Sequence, residues 1–215
     1  MDPVIKKKAK ELVDHAQTTQ DMSSCIVQFV RDQIPYCLDE WDVKPFEVLK
    51  RGRGMCAGKA LLAAELHRAV GIPARFKVIK ILGEEKLFDF IKRQLEKNEI
   101  LGLSLEERRT LIQAILSLPP DRDHIILQVF LNGKWVDVDV ARDTNLNNGM
   151  KALEIWKERK VIHEEGIFDS LGEWLEKRMQ RRTVLQDRKL FFRVVNKQIE
   201  KVRILGRSVQ NLMSC

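Results

Sequence analysis

A chain of 215 residues with 44% apolar and 32% charged residues has the composition of a globular protein. It is long enough for one well-packed domain with an appendage. Its formal net charge is +7, and no stretch approaches the eighteen consecutive apolar residues of a transmembrane helix, so no membrane span is expected.

The cysteines and the first residues predict a cytoplasmic protein. An acidic residue stands at position 2, and no apolar core follows the lysines at positions 6–8, so a signal peptide is not expected. The four cysteines, at positions 25, 37, 56 and 215, are too scattered for a disulfide framework. Together with the four histidines they give no zinc spacing, so neither a metal nor a cofactor is predicted.

Two helices are predicted before residue 35. Residues 3–16 are amphipathic, and Thr18 or Thr19 can cap a second helix that continues to about Gln33, where Pro35 ends it. Cys25 lies on the apolar face of the second helix and is predicted to be core. Residues 37–50 are expected to form a loop and a short helix.

A third helix is predicted from Cys56 to about Val70. Glycines 52 and 54 interrupt regular structure before it, and Gly71 followed by Pro73 ends it. Apolar residues cover most of its circumference, so the helix should be deeply buried. In its first turn a cysteine meets free N–H groups and the positive end of the helix dipole, which favour the thiolate. A structural core cysteine is the alternative, and these residues alone leave it open.

The segment 123–139 is predicted to be a β-hairpin. Asn132-Gly133 is a strong turn signal between β-branched and aromatic runs, and a turn there pairs Leu131 with Lys134. A slip by one residue would exchange the two faces, so the regular alternation supports this register. Except for Lys134 at the turn, one face is then apolar, formed by Ile125, Leu127, Val129, Leu131, Val136, Val138 and Val140.

The same register selects one of two carboxylates as the partner of His124. Asp139 pairs with Ile126, which makes it the diagonal neighbour of His124 at about 7–8 Å between backbones. Asp137 shares the face but lies opposite Gln128, further along the strand. Asp139 is therefore predicted to orient the histidine, with Asp137 as the fallback.

The remaining segments are predicted from local patterns. A strand is expected at 75–82, helices at 84–98 and 104–118, a loop at 141–150, and helices at about 151–160 and 167–182. Residues 176–207 carry eleven Lys and Arg against three Asp and Glu, a net charge of +8, on a heptad-like pattern. This basic helix is expected to pack on the domain; a homo-oligomer, an anionic membrane or another anionic partner remains open. No nucleic-acid motif accompanies it, so nucleic acid is not expected.

Two ranges of the chain, residues 30–75 and 124–139, resemble the transglutaminase-like superfamily. Residues 53–75, with Arg53-Gly-Met-Cys56 at the start and Gly71-Ile-Pro-Ala-Arg75 at the end, resemble its cysteine-helix motif. His124, the Gly133–Trp135 turn region and Asp139 resemble its histidine and aspartate elements, and residues 30–36 resemble the segment before the cysteine loop. The resemblance implies an α+β papain-like fold with a catalytic triad of Cys56, His124 and Asp139.

The resemblance also implies a function. A thioester at Cys56 would cleave a peptide or amide bond of a peptide or protein substrate, or transfer its acyl group to an amine. A non-catalytic binding protein on the same scaffold is the rival. Trp41 could support an oxyanion as a tryptophan does in transglutaminases proper, although no motif aligns it and simple packing is the alternative.

The domain organisation is predicted from this resemblance and from the basic pattern near the end of the chain. Residues 1–182 are expected to form the catalytic domain, and 183–215 a basic amphipathic C-terminal helix. Residues 83–123 form a longer connection than in many relatives, and such a helical insertion should lie near the mouth of the site. It is expected either to act as a lid or substrate-docking element, or to add packing without a role.

Overall fold

The structure, a computed structural model, describes residues 2–82, 85–180 and 185–213. The chain divides into two compact units. Unit 1 comprises Met1–Lys80, Asp123–Thr144 and His163–Gln180, and unit 2 comprises Ile81–Arg122, Asn145–Ile162 and Arg181–Cys215. The predicted boundary after residue 182 and the role of the 83–123 insertion stay predictions.

Most of the helices of unit 1 lie in its N-terminal part. The second helix begins with a reciprocal pair of hydrogen bonds between Thr18 and Asp21, as the predicted cap requires. Its last residues adopt the wider π-helical geometry. The helices are α1 (Pro3–Val13), α2 (Thr19–Gln28) with its π-helical extension (Phe29–Gln33), α3 (Pro45–Arg51), α4 (Cys56–Ala69) and, late in the chain, α8 (Gly172–Gln180).

Helix α4 is the central element of unit 1, and it confirms the predicted buried helix. It packs against α1, α2 and α3. Most of its residues are buried, including two polar ones, Lys59 and His67. The His67 ring bonds the carbonyl oxygen of Ala63 through Nδ1 (2.7 Å) and the hydroxyl of Ser23 through Nε2 (3.0 Å). These bonds connect α4 to α2 inside the core.

A four-stranded sheet lies beside these helices, with strand order β3-β2-β1-β4. Strands β2 and β3 are antiparallel, and Leu131 pairs with Lys134 in the predicted register. The apolar face of the hairpin joins the core cluster that contains α4. The strands are β1 (Ala74–Leu82), β2 (Arg122–Leu131), β3 (Lys134–Val138) and β4 (Lys160–Phe168). The α+β class with a cysteine helix packed on a sheet is therefore confirmed.

Several local predictions are wrong. Residues 141–150 were expected to be a loop but contribute to helix α7 (Thr144–Ala152), and the helix expected at 151–160 stops at Ala152. Strand β4 was not predicted, because this edge strand is mostly exposed and rich in charged residues that give no apolar alternation. Cys25 is only half-buried and not core, because its position lies at the margin of the apolar face of α2.

Unit 2 is mainly helical. Helix α5 (Glu85–Glu96) packs against α6 (Leu105–Leu116), and α6 packs against the long helix α9 (Arg188–Met213). Helix α9 continues unbroken through Gly206. A Cβ atom at Gly206 would overlap the carbonyl oxygen of Asn145, so the glycine permits close contact between α9 and α7.

The two faces of α9 differ in character. One face is buried, contributed by Leu190, Phe191, Val194, Val195, Gln198, Ile199 and Val202. The opposite face exposes four basic residues at four-residue spacing, namely Lys189, Arg193, Lys197 and Lys201. The packing of α9 on its apolar side agrees with the favoured expectation. Contact of the basic face with a second copy or an anionic partner stays a prediction. None of the helices in the described ranges is long and apolar enough to cross a membrane.

Candidate active site

The loop before Cys56 is bonded to the short segment 35–37. The backbone N–H of Cys37 donates to the Gly54 carbonyl (3.1 Å), and the Gly54 N–H donates to the Pro35 carbonyl (3.2 Å). Cys56 follows as the first residue of α4, and its side chain is almost completely buried. The thiol therefore lies at the N-terminal, positive end of the most buried helix of unit 1.

The structure brings His124 and Asp139 together. His124 Nε2 lies 2.9 Å from Asp139 Oδ2, and Asp139 Oδ1 accepts the N–H of Ala141 at 2.9 Å. An ionised carboxylate can only accept hydrogen bonds, so Nε2 carries a hydrogen. In the neutral ring Nδ1 is then the unprotonated nitrogen, the one able to take a proton from a thiol. Only 3% of His124 is exposed.

Asp137, the fallback carboxylate, belongs to a different set of contacts. Its Oδ1 accepts from Gln128 Nε2 (2.6 Å), and its Oδ2 pairs with Lys77 Nζ (3.3 Å). Arg75 Nε donates to the same Gln128 side chain at 2.8 Å. These contacts form a polar network along the sheet. They engage both carboxylate oxygens of Asp137, so the position of this side chain is explained without a bond to His124.

The turn after Asp139 is bonded to the segment 32–36. The Tyr36 N–H donates to Asp143 Oδ2 (3.1 Å), and both the N–H and the hydroxyl of Thr144 donate to Asp32 Oδ1 (3.1 and 2.8 Å). Burial acts to raise the pKa of Asp32, but hydrogen bonds from Arg31 and Thr144 outweigh it and lower the pKa. Residues 31–37 thus support both the cysteine loop and the turn that carries the aspartate.

No role was predicted for Lys59 from the sequence, although it lies three residues after Cys56. Its side chain is fully buried, and Nζ donates to the carbonyl oxygens of Arg31 (3.0 Å) and Ala141 (2.8 Å). The one feature of the sequence that could have indicated a buried Lys59 is that this lysine stands on a helix predicted to be apolar around most of its circumference. Arg53, the other cation that flanks Cys56, is exposed.

Trp41 lies in an aromatic cluster of unit 1. Its ring makes an edge contact with Trp174, with 5.7 Å between ring centroids, and the Arg178 guanidinium lies 4.8 Å from the Trp41 centroid. Arg178 also forms an ion pair with Asp123, the residue before His124. This packing accounts for the position of Trp41, and its support of an oxyanion stays a prediction.

The thiols and acids of the described residues do not form a metal site. Cys25, Cys37 and Cys56 are not joined by disulfides. Within residues 2–82, 85–180 and 185–213, no group of three or more His, Cys, Asp or Glu side chains is arranged to bind a metal ion.

Comparison with known proteins identifies the family. The profile of the transglutaminase-like superfamily matches residues 6–140, more than half of the chain, and this range includes Cys56, His124 and Asp139. The chain therefore belongs to the transglutaminase-like superfamily.

Two other comparisons are less informative. No curated protein matches the sequence. A solved structure titled "Putative Cysteine Protease from Cytophaga hutchinsonii" is 14% identical, with a TM-score of 0.49. The match covers 79% of this chain and 43% of that chain, so this protein spans less than half the length of that neighbour.

Proposed function

We propose that this protein is a cysteine enzyme that cleaves a peptide or amide bond through a thioester at Cys56. The observation that carries the proposal is the bond between His124 Nε2 and Asp139 Oδ2, in a member of this superfamily with a cysteine at the start of α4. The carboxylate orients the imidazole and stabilises the imidazolium that forms when the thiol loses its proton.

The reaction proceeds in two stages. His124 Nδ1 takes the thiol proton, the sulfur of Cys56 bonds to the carbonyl carbon, and the C–N bond breaks as the amine leaves with that proton. In the second stage His124 takes a proton from water, which attacks the thioester and releases a carboxylic acid and the free thiol. The backbone N–H of Cys56 contributes a hydrogen bond to the oxyanion that forms in each stage.

The proposed substrate is a peptide or protein, and the proposed compartment is the cytoplasm. A thiol nucleophile acts on acyl groups, and the proposed acyl acceptor is water. The absence of disulfides among the three described cysteines supports the proposal of a reducing compartment.

Thiol labelling tests the proposed nucleophile. Mild treatment of the folded protein with iodoacetamide, followed by peptide mapping, should label Cys56 before Cys25, although Cys25 is the more exposed of the two. The thiolate is the reactive species, so an activated thiol should react ahead of an ordinary one. His124→Gln should slow the labelling of Cys56 and leave that of Cys25 unchanged.

The rival proposal, a binding protein without activity, gives the opposite result. Labelling would then follow exposure, with Cys25 reacting while Cys56 stays unmodified. That outcome would remove the support for an activated nucleophile at Cys56.

The acyl acceptor is tested by product partitioning. With a small activated ester and an increasing concentration of a primary amine, a hydrolase should release free acid throughout, because water is its acyl acceptor. Chromatography of the products gives the acid-to-amide ratio. Amide as the main product at millimolar amine would instead indicate an acyltransferase, in which the site excludes water.

A further inference from the structure

The fully buried ammonium of Lys59 connects three segments that meet in unit 1. Lys59 lies on α4, three residues after Cys56. Its two carbonyl partners belong to the π-helical turn that contains Arg31 and to Ala141, two residues after Asp139. The side chain therefore joins the cysteine helix both to the supporting segment and to the turn that carries the aspartate.

Fold stability alone does not explain a lysine at this position. Moving an ammonium ion out of water costs several kcal/mol, and an apolar side chain of similar volume is often equally stabilising at a buried site. An ammonium group does offer three directional donors, which can bond carbonyl groups from different segments at the same time. An apolar side chain could fill the space but could not set the relative position of those segments.

The contacts continue from Lys59 to the imidazole. Ala141, whose carbonyl accepts from Lys59 Nζ, also donates its N–H to Asp139 Oδ1. The second oxygen of Asp139 bonds His124 Nε2. A shift of Ala141 relative to α4 would therefore move the carboxylate and, through it, the ring of His124 relative to Cys56.

We propose that Lys59 is a positioning residue that sets the placement of the His124–Asp139 pair relative to Cys56. The inference rests on the proposed cysteine chemistry. Lys59 does not touch the substrate; it acts through Ala141 and Asp139. Loss of its bonds should therefore affect the chemical step and the activation of the thiol more than substrate binding.

The test replaces Lys59 with methionine, which fills similar space without donors. For hydrolysis of a small activated ester, kcat should fall by about 100-fold, the scale of an ångström-sized misplacement, while KM changes little. The pH profile of Cys56 alkylation should shift to higher pH, because the displaced imidazole no longer assists formation of the thiolate. The melting temperature shows whether the variant remains folded.

Arg53→Met is the matched control. Arg53 is also a cation three residues from Cys56, but it is exposed and precedes the helix. If Lys59 acted only as a nearby positive charge, the two variants would have similar effects. The positioning role predicts that Arg53→Met retains nearly wild-type kcat and an unshifted alkylation profile.

The outcomes separate this inference from the proposed function. Unchanged kcat and an unchanged alkylation profile in folded Lys59→Met, with a reactive wild-type Cys56, would overturn the role of Lys59 and leave the cysteine mechanism intact. An unreactive wild-type Cys56 would overturn the proposed function itself. If Lys59→Met does not fold, Lys59→Gln serves instead. Its shorter amide can reach at most one carbonyl, and wild-type kcat there would contradict the proposal.

Discussion

Replacement of Asp139 by asparagine is expected to lower kcat by about 10⁴-fold, the scale known for replacement of a triad aspartate by asparagine. The carboxylate accepts from both His124 Nε2 and the Ala141 N–H. An asparagine side chain has only one acceptor oxygen and adds an amide donor. If the asparagine oxygen keeps the hydrogen bond from the Ala141 N–H, the asparagine NH₂ group faces Nε2 of His124 and donates to it. Nε2 must then be unprotonated, and the ring proton moves to Nδ1. The base that should receive the thiol proton is then lost.

Asp137→Asn is the matched control for this prediction. Asp137 lies on the same strand region but bonds Gln128 and Lys77, and its side chain is substantially exposed. Loss of an exposed ion pair has a small effect on stability and none on the tautomer of His124. Steady-state kinetics of both variants on one ester substrate should therefore rank Asp139→Asn far below Asp137→Asn. The reverse ranking would contradict the assignment of Asp139.

The second large effect concerns folding stability and arises from His67. Burial lowers the pKa of His67 from 6.5 to about 4, against a smaller opposing effect of the bond to the Ala63 carbonyl. Between these two pKa values the unfolded chain binds a proton that the folded protein does not. The free energy of unfolding therefore falls as the pH decreases from about 6.5 to about 4, and His67 contributes about 2–3 kcal/mol to that loss.

The contribution is isolated by comparing variants. Urea unfolding of the wild type and of His67→Gln, at about pH 7 and about pH 4.5, should show a smaller loss in the variant by about 2 kcal/mol, since glutamine does not titrate. His15→Gln is the control, because the side chain of His15 is 99% exposed. It should keep the wild-type pH dependence. Parallel profiles for wild type and His67→Gln would show that the folded protein accommodates the protonated ring.

Local sequence determined the elements that mattered most for the candidate site. The α4 helix follows from good helix formers between glycines at one end and Gly71 with Pro73 at the other. The hairpin follows from Asn132-Gly133 and a strict alternation of faces, which also predicted the proximity of His124 and Asp139. These patterns are reliable because turn chemistry and side-chain periodicity depend on residues close together in the chain.

Strand β4 and the contacts of Lys59 were decided only by the tertiary structure. Strand β4 forms because β1 offers it an edge to pair with, not because Lys160–Phe168 has an apolar alternation of its own. The contacts of Lys59 join residues up to 82 positions apart in the chain. Bonds between distant backbone groups leave no periodic trace in a sequence, since each depends on where the fold places a carbonyl. A lone lysine in an apolar helix could therefore be noticed from sequence, but its partners could be identified only in the folded protein.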